Sequence, residues 1–180
     1  MNFNPKKLFV IVGYPHTGKT KTLQQIFQRR LFFPFKQPIQ APSLGAAPFI
    51  VVNNSDTNHR SDDQLARIRS ALHFHTETDT SFLIPASLVF DDSIRDMKGI
   101  LAYLNRSGLD VHYLVLRNSW FDKHVISDDD LLLLEQHVEN GTIHILDRLV
   151  TQSKLRFDER VKEIEALMRT VVESRVRYCE

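Results

Sequence analysis

At 180 residues the chain is long enough to bury a real core and short for two domains; 42% apolar and 25% charged residues exclude wholesale disorder. A net charge of +1 supplies no field for a polyanion such as DNA, so a nucleic-acid partner is not indicated. No unbroken apolar run approaches the roughly 20 residues of a membrane span, the opening MNFNPKK has no signal-peptide core, and the one cysteine, Cys179, cannot form an internal disulfide, so a cytoplasmic protein with no membrane partner is expected.

In chain order, short apolar runs alternate with longer segments of helical period. LFVIV at 8–12 reads as the first strand, followed by GYPHTGKT and a helix with Leu23, Ile26 and Phe27 on one face. The stretch LFFPFKQPIQAPSLGAAP carries Pro34, Pro38, Pro42 and Pro48 and suits neither regular helix nor central strand. It is expected as a loop over about 31–48, either a hydrophobic strap on the sheet edge or a mobile lid carrying partner or acceptor recognition. FIVV at 49–52 is the second strand, and SDDQ at 61–64 has the capping-box form before a helix aligned on Leu65, Ile68 and Leu72. LVF at 88–90 is the third strand. SIRD at Ser93 opens a helix with Ile94, Met97, Leu101 and Leu104 on one stripe, and Gly108 sits where it ends. VHYLVL at 111–116 is the fourth strand, SDDD at Ser127 caps a helix through LLLL at 131–134 with Gly141 beyond its end, and IHIL at 143–146 is the fifth strand. The last helix starts between Ser153 and Asp158 with Val161, Ile164, Met168 and Val171 in one stripe. The pattern predicts an α/β protein: a three-layer α/β/α sandwich with a five-stranded, mostly parallel sheet, one domain over residues 1–180, with ligands at the carboxyl ends of the strands.

Glycine is scarce in this chain, yet Gly13 and Gly18 lie five positions apart with Lys19 and Thr20 directly behind the second. A strand, a tight turn and a helix in that order are the setting that the pattern G-x-x-x-x-G-K-[ST] requires. Without a Cβ at Gly13 and Gly18, the backbone through Tyr14, Pro15, His16 and Thr17 can turn successive amides into one concavity. The start of the helix at Lys19, Thr20 and Lys21 adds the positive end of its dipole. Lys19 adds a full charge at the β- and γ-phosphates, and the Thr20 hydroxyl is of the kind that ligates Mg²⁺. The expected ligand is a magnesium nucleoside triphosphate.

Through these residues the chain resembles the P-loop NTPase superfamily, whose Walker A motif they match, and its strand and helix order is similar to the kinase and GTPase side of that superfamily. The resemblance implies a second element, an apolar strand ending in an Asp that holds Mg²⁺ through water. SLVFDD fits, with Asp91 as the magnesium carboxylate and Asp92 beside it, although either also suits a helix N-cap. Asp56, after FIVVNNSD, is the rival. The guanine-reading N-K-x-D of the family's GTPases is missing, since NNSD at 53–56 lacks the Lys and comes too early. RNSW at 117–120 leaves the fourth strand at the binding edge, where Asn118 is a candidate hydrogen-bond partner for a base and Trp120 or Phe121 a candidate stacking surface, or a loop packing group. ATP is therefore expected ahead of GTP.

Kinases of the superfamily close an arginine-bearing lid between the fourth and fifth strands, but 119–145 holds no Arg, only Lys123. Arg60, Arg95 and Arg117 remain as cations near the phosphates, each equally at home in a surface ion pair. Arg95, one turn past Asp92, is the first catalytic candidate beside Lys19, Asp91 and Asp92. His73 and His75 are two apart and pair with no Cys, so no zinc is expected. Three functions fit: a small regulatory or switch ATPase that hydrolyses the γ-phosphate and answers to a protein partner; a small-molecule or nucleotide kinase with its acceptor near residues 31–60; and a nucleotide-binding module without turnover, since no Glu follows Asp91.

Overall fold

Strands that are apolar on both sides belong inside a covered sheet, and KLFVIVG accordingly forms strand β1 (Lys7–Gly13), every residue of it buried. The structure, a computed structural model, describes residues 6–30, 33–34, 37–53, 60–75 and 79–174. After β1 come α1 (Lys19–Ile26), β2 (Ile39–Gln40), β3 (Pro48–Val51), α2 (Ser61–Phe74), β4 (Ser81–Ser87), α3 (Lys98–Asn105), β5 (Asp110–Leu116), α4 (Asp128–His137), β6 (Thr142–Leu146) and α5 (Lys154–Glu173). The class is α/β, with one mixed sheet in the order β2-β3-β4-β1-β5-β6, parallel except for the antiparallel pairing of β2 on β3.

The sheet has six strands rather than five. The extra one, β2, comes from the Pro- and Phe-rich stretch, where Ile39 and Gln40 pair with Phe49 and Pro48 and extend the sheet edge. The described residues Phe33, Ile39, Ala41 and Leu44 of this stretch bury their side chains beside Phe49.

The third parallel strand is also corrected. It is SFLIPAS at Ser81–Ser87, and Leu88 to Phe90 lie beyond its end. A proline inside a central strand argues against such an assignment from sequence, but the pairing of β3 with β4 ends at Val51↔Leu83, and the Val52 amide to Leu83 O is the last hydrogen bond between the two segments among the described residues, so Pro85 lies just past the shared ladder. The Pro85 carbonyl accepts from Gln64 Nε2 of α2. Smaller differences are that α2 takes Arg60 as N-cap with Ser61 already helical, and that Ile94 stands in an exposed turn before α3, whose N-cap is the buried Met97.

Alternating residues of β1 feed two cores. Leu8, Val10 and Val12 pack with Ile68 of α2, Leu101 and Leu104 of α3 and Leu134 of α4. On the other face Phe9 and Ile11 pack with Leu23 and Ile26 of α1 and Phe157, Val161, Ile164 and Met168 of α5. From β1 the chain leaves toward β3 on one side of the sheet, and from β5 it leaves toward β6 on the other, with α1 and α4 on opposite faces. A crevice between diverging connections of this kind is where open parallel sheets bind ligands. No helix among the described residues is long and apolar enough to cross a membrane.

Candidate functional site

The segment Tyr14–Gly18 lies at that crevice, between the end of β1 and the start of α1. Gly13 is required by proximity, since a Cβ there would come within 2.4 Å of Thr17 Oγ1. Gly18 is required by conformation, with φ at 92°, and Trp120 Cβ would lie 3.2 Å from an added Cβ. His16 also adopts a left-handed conformation, φ 65°, and left- and right-handed residues in alternation are what bend a backbone into an anion nest. Thr17 closes the turn by donating its amide and its hydroxyl to the Tyr14 carbonyl. The amides of Gly18, Lys19, Thr20 and Lys21 have no acceptor among the described residues.

Lys19 folds over the loop. Its Nζ donates to the carbonyls of Gly13 at 3.0 Å and Tyr14 at 2.7 Å, and desolvation pushes its pKa down to about 8. A cation held by carbonyl dipoles and short of water is poised for an anion. The Thr20 side chain, in the first turn of α1, is exposed and makes no described hydrogen bond.

The outer side of the loop is braced by three elements. Ser119, just past β5, donates its hydroxyl to His16 O at 3.3 Å. Arg160, fully buried in α5, donates from Nη1 to Asn118 O at 2.8 Å and from Nη2 to Thr17 O at 3.2 Å. Burial lowers the Arg160 pKa to about 10, which leaves it a cation at neutral pH. On the opposite face the Tyr14 hydroxyl donates to Asp130 in the first turn of α4 and accepts from the Ser127 amide at 3.3 Å; burial and then Asp130 raise the Tyr14 pKa.

Sequence reasoning passed over Arg160, although the signal was present. It lies three residues after Phe157 and four before Ile164, a charge inside an apolar stripe. Asn118 is brought to the site, but as a strut: its Nδ2 donates to Asp147 O at 2.6 Å and its carbonyl receives Arg160. Lys21 Nζ lies 3.5 Å from the centroid of the Trp120 ring, whose edge meets Phe157 at 4.9 Å, so this indole is engaged within the protein. Phe121 stays exposed and meets the His16 ring edge-on at 6.2 Å. Pro15 is exposed.

The strand-end carboxylate is placed elsewhere. Ser87 is the β4 residue in register with Gly13, and the Leu88 amide bonds Gly13 O. Asp91 is four residues past the strand, at φ 59°, with an exposed carboxylate bound by Lys98 Nζ that holds its pKa below the usual range. Its neighbour Phe90 packs on His137 in the last turn of α4. Tyr14 meets Asp130 in the first turn of that helix, about 10 Å away at 1.5 Å rise per residue. Asp92 accepts the amides of Ile94 and Arg95 as a local turn cap, which lowers its pKa, and Arg95 itself is exposed. Arg117 is occupied by Asp128 and Asp147, and Arg60 is the exposed N-cap of α2. Asp56 lies outside the described residues. For Mg²⁺ the hydroxyl half of the expected site fits at Thr20, and the carboxylate half does not fit at Asp91. The described residues contain no group of three His, Cys, Asp or Glu side chains placed to hold a metal ion. Neither a family model, nor a curated protein, nor a solved structure matches this chain.

Proposed function

We propose that this chain is a P-loop nucleotide-binding protein of three-layer α/β/α architecture, and that it holds the polyphosphate of ATP, ahead of GTP, between β1 and α1 as the input of a conformational switch. The observation that carries the reading is the combination at one crevice of amides at Gly18 to Lys21 that have no acceptor among the described residues with the desolvated Lys19 ammonium. Such a cup matches a triphosphate in charge and in donors. Contacts made by the loop itself give the switch its outputs: the Tyr14 hydroxyl reaches Asp130 in the first turn of α4, while the Thr17 carbonyl accepts from Arg160 of α5. A ligand that changes the loop changes what these helices hold, and a protein partner can read that difference.

A second reading, binding with little or no turnover, is favoured by the placement of Asp91 off the strand and in the grip of Lys98. Hydrolysis then depends on a group brought by a partner. Measuring ADP formation and free phosphate from ATP, alone and with a panel of nucleosides, phosphorylated metabolites and cell protein fractions, separates the alternatives. ADP and free phosphate in equal amounts, stimulated by a protein fraction, support the switch; tight binding without ADP formation supports the module; and ADP formed only with a small acceptor, the phosphoryl group going to that acceptor and not to water, overturns both in favour of a kinase.

A further inference from the structure

The buried face of α5 carries a single cation, and it sits directly behind the loop. Arg160 has no exposed surface, and a Cβ added to Gly18 would lie 3.5 Å from its Nη2. Its hydrogen-bond acceptors among the described residues are two backbone carbonyls, and its Nε is buried without a partner. An apolar side chain beside Phe157, Val161 and Ile164 would avoid the cost of desolvating a charge that is answered only by dipoles. What the guanidinium provides instead is geometric.

A trans peptide is planar, and its C=O and N–H point in opposite directions. Arg160 Nη2 holds Thr17 O toward α5, so the N–H of the same peptide unit, that of Gly18, is turned away from α5 and donates to nothing described. The other arm of the fork fixes Asn118 O, whose residue is locked to Asp147 O beyond β6. A planar, two-armed donor joins the two carbonyls rigidly in a way one ammonium cannot.

We propose that Arg160 is a positioning residue of the phosphate loop: by holding the Thr17 carbonyl outward and tying it to the end of β5, it keeps the Gly18 N–H facing the anion without touching the anion itself. This rests on the reading of the loop as a polyphosphate site. The test is a titration with inorganic tripolyphosphate of protein labelled with ¹⁵N-glycine, following the Gly18 amide resonance in wild type, Arg160→Met and Arg160→Lys, with folding checked by circular dichroism. In wild type the Gly18 proton moves downfield at saturation. Arg160→Met loses that shift and about tenfold in affinity, the effect of one well-placed hydrogen bond, while Arg160→Lys falls between the two. A folded Met variant with wild-type affinity and an unchanged Gly18 shift overturns the proposal. If the Met variant does not fold, Arg160→Lys decides, and its behaving as wild type overturns the proposal. A wild-type protein that binds no tripolyphosphate overturns the loop reading and this one with it, an outcome distinct from the others because it appears before any variant is compared.

Discussion

Lys19 is a side chain whose ionisation the site has already changed. Its ammonium loses a proton near pH 8 when no anion is present, because burial disfavours the charge. A bound polyphosphate favours the charged form and raises that pKa. Below pH 8 the lysine is charged in both states and affinity is flat. Above it the free protein must take up a proton on binding, so the affinity for ATP is expected to fall by about tenfold per unit of pH, until the raised pKa is reached. Calorimetry between pH 7 and 9.5 in buffers of different ionisation heat reads both the slope and the proton uptake; a flat profile contradicts the placement of Lys19. Asp91 makes the opposite case. From the sequence its replacement by Asn is expected to weaken magnesium dependence and turnover, but an exposed carboxylate paired with Lys98 beyond the strand end predicts a change under about twofold in magnesium-ATP affinity. A tenfold loss on titration would return Asp91 to the site. Lys19, Thr20 and the two glycines stand out in the sequence through local spacing, and the structure sets them at the turn from β1 into α1. Arg160 stands out less, since its meaning depends on α5 crossing behind a loop more than a hundred residues earlier in the chain.

At the scale of elements, α4 joins the loop to the rest of that face. Ser127 caps it by accepting the Asp130 amide at 3.1 Å, and Ser127 Oγ also donates to Asp130, the carboxylate bound by Tyr14. Ser127→Ala removes the cap and one partner of that carboxylate, so a loss of about 1 kcal/mol in urea unfolding is expected. No loss would mean that the cap is idle. This cap was readable from SDDD, because capping depends on residues within one turn, whereas for α5 the sequence only bounded the start between Ser153 and Asp158, and the cap is Ser153. Strand β4 was not readable, because Pro85 argues against a central strand. Only the early end of β3 and the nearby Gln64 make the proline harmless, and both are facts of the assembled sheet. The same misplacement carried the third strand to LVF and so brought Asp91 to the binding edge. Strands β1 and β5 were read correctly, within a residue or two, because burial on both faces leaves an unbroken apolar run.

Across the whole molecule, the loop is the meeting point of both cores: Tyr14 packs against the face of α2, α3 and α4, and Arg160 ties Thr17 to α5 on the other. A ligand that binds only the folded chain stabilises all of it. At a hundredfold excess over the dissociation constant, ATP is expected to add about 2.7 kcal/mol, which raises Tm by roughly 5 to 10 °C in a chain of this size. Differential scanning fluorimetry over an ATP series checks this, and an unmoved Tm in the presence of saturating nucleotide contradicts it. The most direct measurement of the central claim is the calorimetric titration of magnesium-ATP into wild type and Lys19→Ala at pH 7.5. Saturable one-site binding by wild type, with a loss of about a hundredfold in the variant, is the predicted result; equal affinity in the two proteins, or no binding by wild type, would contradict it.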